Sequence, residues 1–237
     1  MSLSARIKST LEFTSILLVI AAASALLWTV YQQSTAPEQA SAGPRVESVE
    51  GLSIAAASIT KRAGRGALAL IEFSDFECPF CGKFARDTYP SIRQGFVDNG
   101  KLTFVSFAFP LESLHPLARK ASEAAECAAQ QGKFWEMRER LYADHSALAP
   151  DALSTSAKAV GLDLNQFEAC LADGEAQKAV QAEIEQGRQL GVNSTPTLFL
   201  GRLRKDGSID LLKRIRGAAP LAQLESAITE LSQRAQR

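Results

Sequence analysis

Two cysteines, Cys78 and Cys81, stand three residues apart between an apolar run and a helical pattern. The run ALALIEF over residues 67–73 has the character of a buried strand, and residues from Pro79 to about Val97 carry apolar side chains at helical spacing. This position puts the first cysteine at a helix N-terminus, where the N–H groups and the helix dipole stabilise a thiolate. The placement therefore favours a redox-active pair over two incidental buried thiols.

A zinc site is the main chemical alternative for such a pair, and it needs a second set of ligands. The remaining cysteines, Cys127 and Cys170, are isolated in the sequence, and neither has a Cys or His at ligand spacing. We therefore expect no metal and no other cofactor. The 26 basic residues balance the 26 acidic ones, so the composition gives no indication of a nucleic-acid partner.

The N-terminal part predicts a membrane anchor, because residues 13–31 contain no charge and are long enough to span a bilayer. Arg6 and Lys8 precede the run, so the positive-inside rule leaves residues 1–12 in the cytoplasm and exports the rest. A cleaved signal peptide is the alternative, since residues 23–25 are small. Residues 32–51 are rich in Ala, Ser, Gln and Pro, which predicts a flexible linker. We expect the following domain in the periplasm or at the outer face of the cytoplasmic (inner) membrane.

Residues 52–237 are predicted to form an α/β domain with a helical interruption. A second strand over Leu102–Phe109 follows the first strand and its helix, which makes a strand–helix–strand unit. Helical spacing from about 116 to 190 predicts an insert of four or five short helices. Two further strands over 195–201 and 208–215 and a last helix from Pro220 to about Arg234 complete the order βαβ, helices, ββα.

This order, together with the Cys78-Pro79-Phe80-Cys81 motif and the Thr195-Pro196 step before a strand, resembles the thioredoxin-like superfamily, and most closely its DsbA-like branch. The resemblance covers about Leu68 to Leu231. It implies a thioredoxin-like fold with an inserted helical subdomain, and thiol-disulfide oxidoreductase activity. It also implies that Cys78 is the nucleophile, that Cys81 resolves the mixed disulfide, and that a cis Pro196 faces the pair. Thr195, Pro196, Pro79 and Phe80 are the expected substrate-binding residues.

Glu72 stands where the resemblance places a buried carboxylate behind the resolving cysteine. Burial would raise its pKa and let it take a proton from Cys81. A polar residue on a half-exposed strand is the alternative, although the neighbours of Glu72 are almost all apolar. We expect Asp75 and Glu77 to be solvated loop charges, which would oppose the ionisation of Cys78 if they lay close to it.

Cys127 and Cys170 fall in two different predicted helices of the insert. A free cysteine is commonly a small buried apolar residue, but two leftover cysteines in an oxidising compartment more often pair. Some DsbA-like relatives carry a second bridge in this insert. We therefore expect a structural disulfide between these two residues.

The expected function is the formation of disulfide bonds in exported cysteine-containing proteins, with a membrane redox partner that recycles the pair. Two features leave the direction of electron flow open. The dipeptide Pro79-Phe80 has no histidine to stabilise the thiolate, and Thr195 before the proline is also found among isomerase-like members. A reductase or isomerase of the same fold is thus one alternative. A tethered peptide-binding or chaperone module without turnover is another.

Overall fold

The computed structural model describes residues 23–28 and 44–235. Residues 23–28 form a helical segment, α1, within the first of two compact units, Met1–Ala42 and Gly43–Arg237. Within the described ranges, no helix combines the length and the apolar character needed to cross a membrane. The predicted cytoplasmic segment 1–12, most of the anchor 13–31 and the linker up to residue 43 lie outside the described residues, so these assignments stay predictions.

Within residues 44–235, seven strands form one mixed sheet in the order β1-β7-β6-β4-β5-β3, with β2 on β7. The central strand β4 runs parallel to β5 and antiparallel to β6, and β6 runs antiparallel to β7. Every residue of β4 is buried, as expected for a strand with helices on both faces of its sheet. The strands are β1 (Arg45–Ser48), β2 (Ser53–Ile54), β3 (Arg62–Ala63), β4 (Leu68–Ser74), β5 (Leu102–Ala108), β6 (Thr197–Leu203) and β7 (Ile209–Arg216).

The helices of this unit fall into three groups. The helical stretch between β4 and β5 consists of α2 (Pro79–Lys83), a π-helical turn (Phe84–Thr88), α3 (Tyr89–Ile92) and a second π-helical turn (Arg93–Val97). The insert consists of α4 (Ala118–Gln130), α5 (Phe134–Ala143), α6 (Pro150–Ala159), α7 (Leu164–Asp173) and α8 (Glu175–Gln189), with a 3-10 turn at His145–Leu148. The last helix is α9 (Leu221–Ala235). The predicted order βαβ, helical insert, ββα is confirmed, and the fold is thioredoxin-like.

The alternation of side chains along β4 sends successive residues to opposite faces of the sheet. Leu70 packs with residues of the α3 and α9 helices, whereas Ile71 packs on the face covered by α8. A third apolar cluster fills the insert, and it contains Cys78 and Cys81. The cysteine pair therefore lies where the sheet unit and the insert meet.

The domain begins earlier than the sequence predicts. Arg45–Ser48, inside the predicted linker 32–51, form β1 and pair with residues 213–216 of β7. The strand is short, polar and largely exposed, so it carries no apolar pattern that distinguishes it from a linker. The start of the domain moves accordingly from residue 52 to about residue 45.

Candidate active site

The first cysteine of the pair begins a helix. Cys78 is the N-cap of α2 with extended backbone dihedrals, and Pro79 occupies the first helical position, where its missing N–H costs nothing. The Cys78 carbonyl accepts from the N–H of Gly82 at 3.0 Å, which closes the first turn. The Cys78 side chain is thereby held at the open end of the helix, beside its unpaired N–H groups.

The surroundings of Cys78 stabilise its thiolate and lower its pKa to about 5 from an ordinary 9.0. Hydrogen bonding from the Cys81 thiol contributes most, and burial of the side chain opposes it. The Thr195 side chain and the backbone N–H groups of Cys81 and Phe80 favour the thiolate further. Cys78 is therefore ionised at neutral pH.

Cys81 lies in the opposite environment. Its side chain is fully buried, and burial, followed by the hydrogen bond and charge of Cys78 and the charge of Glu72, raises its pKa well above 9.0. The N–H of Asp75 lies 3.4 Å from the Cys81 sulfur and acts in the other direction. The pair thus combines one thiolate with one protonated thiol, which is the division needed for attack on a disulfide followed by resolution.

The loop before β6 brings a proline to the pair. The Thr195–Pro196 peptide bond is cis, and the Thr195 carbonyl oxygen lies 3.4 Å from the Cys78 sulfur, within reach of a thiol proton. The Thr195 hydroxyl is buried and has no hydrogen-bond partner among the described residues. It is free to turn its proton towards the sulfur once Cys78 ionises, which accounts for its effect on the pKa of Cys78.

The other two residues predicted to bind substrate follow Cys78 directly. Pro79 borders a groove of about 560 Å³ beside Cys78, between α2 and the end of α5. Phe76, Arg86, Tyr142 and His145 also line this groove. Phe80 is 61% exposed, which is unusual for a phenylalanine. An apolar side chain and a groove therefore flank the reactive sulfur.

Glu72 is fully buried on β4, and its partner is an arginine that sequence reasoning missed. Its Oε2 accepts from Arg138 Nη2 of α5 at 2.7 Å, and its Oε1 has no partner among the described residues. Burial raises the pKa of Glu72, and the charge of Arg138 opposes that rise. Arg138 follows Phe134 by four residues and precedes Leu141 by three, so it occupies the apolar face of its helix. An arginine on the apolar face of a helix was the sequence feature that could have indicated a buried partner for Glu72.

Arg138 is enclosed by aromatic rings. Its guanidinium carbon lies 4.8 Å from the ring centre of Tyr89, 5.5 Å from that of Phe104 and 5.0 Å from that of Tyr142. Ring faces attract a cation, and Arg is the cation that most often stacks in this way. The insert therefore supplies the counter-ion of Glu72, and rings from both the sheet unit and the insert surround it.

The prediction that Asp75 and Glu77 are solvated loop charges is wrong for Asp75, whereas Glu77 is half-buried. Asp75 is fully buried, and its carboxylate accepts from the N–H groups of Glu77 at 2.8 Å and Cys78 at 3.2 Å. Glu77 accepts from the N–H of Leu117 at 2.7 Å. The loop between β4 and α2 exposes N–H groups that have no strand partner, and an aspartate side chain satisfies them as in an Asx turn.

The four cysteines fall into two pairs. Cys78 and Cys81 carry free thiols, whereas Cys127 of α4 and Cys170 of α7 are joined by a disulfide with a Cα–Cα distance of 5.7 Å. This bridge lies in the apolar cluster of the insert. Among residues 23–28 and 44–235, no three His, Cys, Asp or Glu side chains are grouped so as to hold a metal ion.

A thioredoxin-like sheet with a reactive Cys-x-x-Cys pair opposite a cis proline defines a thiol-disulfide oxidoreductase. The family model described as Thioredoxin matches residues 66–213, and the chain belongs to this family. Its fold is that of DsbA-like proteins. The alpha-DsbA1 structure from Wolbachia pipientis has a TM-score of 0.62 at 19% identity, over 74% of this chain and 92% of that one. Oxidised BdbD from Bacillus subtilis has a TM-score of 0.64 at 19% identity, over 78% of this chain and 97% of the BdbD chain.

Curated relatives with higher identity are longer proteins. The chain is 35% identical to Na(+)/H(+) antiporter NhaA 3 of Salinispora tropica over 144 residues. These residues make up 61% of this chain and 22% of the antiporter. The chain thus spans about a fifth of the length of the curated relatives it matches. The similarity concerns one part of those proteins.

Proposed function

We propose that this protein oxidises cysteine pairs of exported proteins to disulfides through Cys78 and Cys81. The observation that carries the proposal is the contrast between the two thiols, since the pKa of Cys78 falls to about 5 while that of Cys81 is raised. A low pKa of the nucleophile stabilises the reduced pair, and a stable reduced pair makes the disulfide a stronger oxidant.

The exchange then runs in two steps. A substrate thiolate attacks Cys78 of the Cys78–Cys81 disulfide, which forms a mixed disulfide and releases the Cys81 sulfur. A second substrate thiolate attacks the substrate sulfur of the mixed disulfide and releases the Cys78 thiolate. The substrate loses two electrons and the pair gains them. In this second step Cys78 leaves readily, because its thiolate is more stable than that of Cys81.

Glu72 is proposed to exchange a proton with Cys81. The Cys81 sulfur leaves as a thiolate in a buried site and needs a proton, and it must lose that proton again when it attacks in the reverse reaction. Glu72 is buried near enough for its charge to raise the pKa of Cys81, and its Oε1 has no partner among the described residues. Its raised pKa brings it closer to the range in which a general acid or base is effective.

Thr195, Pro196, Pro79 and Phe80 are proposed to bind the substrate around Cys78. The Thr195 carbonyl lies within 3.4 Å of the reactive sulfur, so a peptide joined to that sulfur runs past this backbone. Exposed Phe80 offers an apolar contact beside it. The Cys127–Cys170 bridge is proposed to be structural, because it lies within the core of the insert.

The proposed location is the outer side of the cytoplasmic membrane, with residues 13–31 as a single anchor and the segment up to about residue 44 as a linker. The absence of charge in residues 13–31 supports an anchor. Relatives that are named as membrane antiporters support a membrane setting for this type of domain. A membrane redox partner is proposed to reoxidise the pair after each turnover.

Trapping of mixed disulfides tests the roles of the two cysteines. Cys81→Ser should accumulate mixed disulfides with exported proteins, because Cys78 can still attack a substrate disulfide but no Cys81 thiol remains to resolve the product, whereas Cys78→Ser should accumulate none. Equal trapping by the two variants would refute the assignment.

The reduction potential tests the direction of electron flow. Equilibration of the purified protein with glutathione should give a potential less negative than about −180 mV, the value of protein disulfide isomerase. A potential near −270 mV, that of thioredoxin, would replace the oxidase by a reductase.

A further inference from the structure

A buried carboxylate connects the reactive cysteine to a histidine on another loop. Asp75 Oδ1 accepts from the N–H of Cys78 at 3.2 Å and from that of Glu77 at 2.8 Å. The other oxygen, Oδ2, accepts from the N–H of Leu111 and is bonded to His115 Nδ1, both at 2.8 Å. Residues 111–115 belong to the loop that joins β5 to the insert. One side chain thus holds the nucleophile loop and the histidine loop together.

The charges around this histidine favour its protonated form. Asp75 is fully buried, and among the described residues Glu77 and the Cys78 thiolate, both negative, also act on the imidazole. Burial alone lowers the pKa of His115, but the hydrogen bond and charge of Asp75, with the charges of Cys78 and Glu77, raise it above its ordinary 6.5. A protonated His115 donates from Nδ1 to Asp75 as an ion pair.

Other cations are poorly placed to serve the thiolate. The Pro79-Phe80 dipeptide contains no basic residue. Lys83, one turn further on, is exposed and paired with Asp87 at 2.7 Å. Arg86 borders the groove, and its Nη1 donates to the carbonyl of Tyr142 at 2.7 Å. Without a counter-charge, buried Asp75 would oppose the ionisation of Cys78.

We propose that His115 is a positioning residue of the redox site, whose imidazolium offsets the charge of Asp75 and thereby stabilises the Cys78 thiolate. The coupling is reciprocal: a thiolate that favours protonation of the histidine is itself favoured by the protonated histidine to the same extent. Reduction of the pair therefore favours protonation of His115, and oxidation disfavours it. This inference rests on the proposed function only in taking Cys78 as the ionised sulfur.

An NMR titration of His115 tests the coupling without reference to catalysis. The chain has two histidines, so the imidazole signals in NMR are simple, and His145→Gln leaves only the signal of His115. The His115 midpoint should be higher in the reduced protein than in the oxidised one by about one unit, as for a neighbouring unit charge. Equal midpoints in the two redox states would overturn the proposal, even if the protein proves to be an active oxidase.

Variants separate the charge of His115 from its structural contacts. His115→Gln keeps a donor for Asp75 but removes the cation, and it should raise the pKa of Cys78 by about one unit. The equilibrium constant with glutathione should then shift about tenfold, or about 30 mV towards a less oxidising pair. His115→Lys restores a cation and should recover most of the shift.

The double variant Asp75→Asn, His115→Gln removes both charges and supplies the matched control. Its Cys78 pKa should return close to that of the wild type, because neither an unpaired anion nor a cation remains. A merely structural role predicts instead that the double variant is worse than His115→Gln alone. That result, or a Cys78 pKa unchanged by His115→Gln in a folded protein, would contradict the proposal.

Discussion

The buried pair Glu72–Arg138 leads to a prediction with a defined pH dependence. Replacement of Arg138 by Met keeps an apolar chain between the three aromatic rings and removes the only cation bonded to Glu72 among the described residues. Burial already raises the pKa of Glu72 above 4.5, and without Arg138 nothing opposes that rise. The carboxyl group should then hold its proton to a higher pH in the folded variant than in the unfolded chain.

The cost of the substitution follows from this difference in protonation. Each unit by which the loss of Arg138 raises the pKa of Glu72 further above its wild-type value costs about 1.4 kcal/mol, and loss of one partner of a buried ion pair typically costs about 3 to 5 kcal/mol, so Arg138→Met should lose about 3 kcal/mol of unfolding free energy at pH 7. A raised folded pKa means that stability is fully present below pH 4.5 and is lost as the pH rises towards the folded value. The deficit should therefore shrink as the pH falls from 7 to 5.

Urea unfolding of the oxidised protein over this pH range measures the effect, because the redox-active thiols do not titrate in the disulfide form. The double variant Glu72→Gln, Arg138→Met is the control and should show a deficit that does not change with pH. Glu72→Gln alone leaves a buried guanidinium without a counter-ion and should cost about 3 to 5 kcal/mol. A deficit of Arg138→Met that is flat between pH 5 and 7 would refute the assignment of Glu72 as its titrating partner.

Three further predictions concern other parts of the molecule. Alkylation of Cys78 in the reduced protein should be half-maximal at pH about 5, because the thiolate persists above its lowered pKa, and a midpoint near 9.0 would contradict the described environment. Replacing Cys127 and Cys170 by Ala opens a 43-residue loop and should lower the unfolding free energy by about 4 kcal/mol, with no change in Cys78 alkylation. Unchanged stability would show that the bridge is dispensable. Mass spectrometry of the membrane-extracted protein should find residues before Phe13, whereas a mature start near residues 24–26 would indicate a cleaved signal peptide.

The sequence alone predicts the sheet unit and the position of the redox pair. Strands β4 and β5 are mostly apolar because both of their faces are covered, and such runs are visible without a structure. Pro79 and the apolar residues at helical spacing predict the helix after the pair. Glu72 is conspicuous for the same reason, since a single carboxylate inside a largely apolar run favours burial with the strand over a half-exposed position.

The partners of the buried charges could be found only in the tertiary structure. Glu72 is hydrogen-bonded to Arg138, which lies 66 residues further along the chain, and Asp75 to His115, which lies 40 residues further along. Both contacts depend on how the insert and its leading loop pack against the end of β4, and no local periodicity encodes that packing. The short strands β1 and β3 were missed for a related reason: their residues pair through backbone hydrogen bonds at the edges of the sheet, and backbone pairing leaves little trace in side-chain pattern. Local spacing therefore determined where the thiols lie, and long-range packing decided which charges surround them.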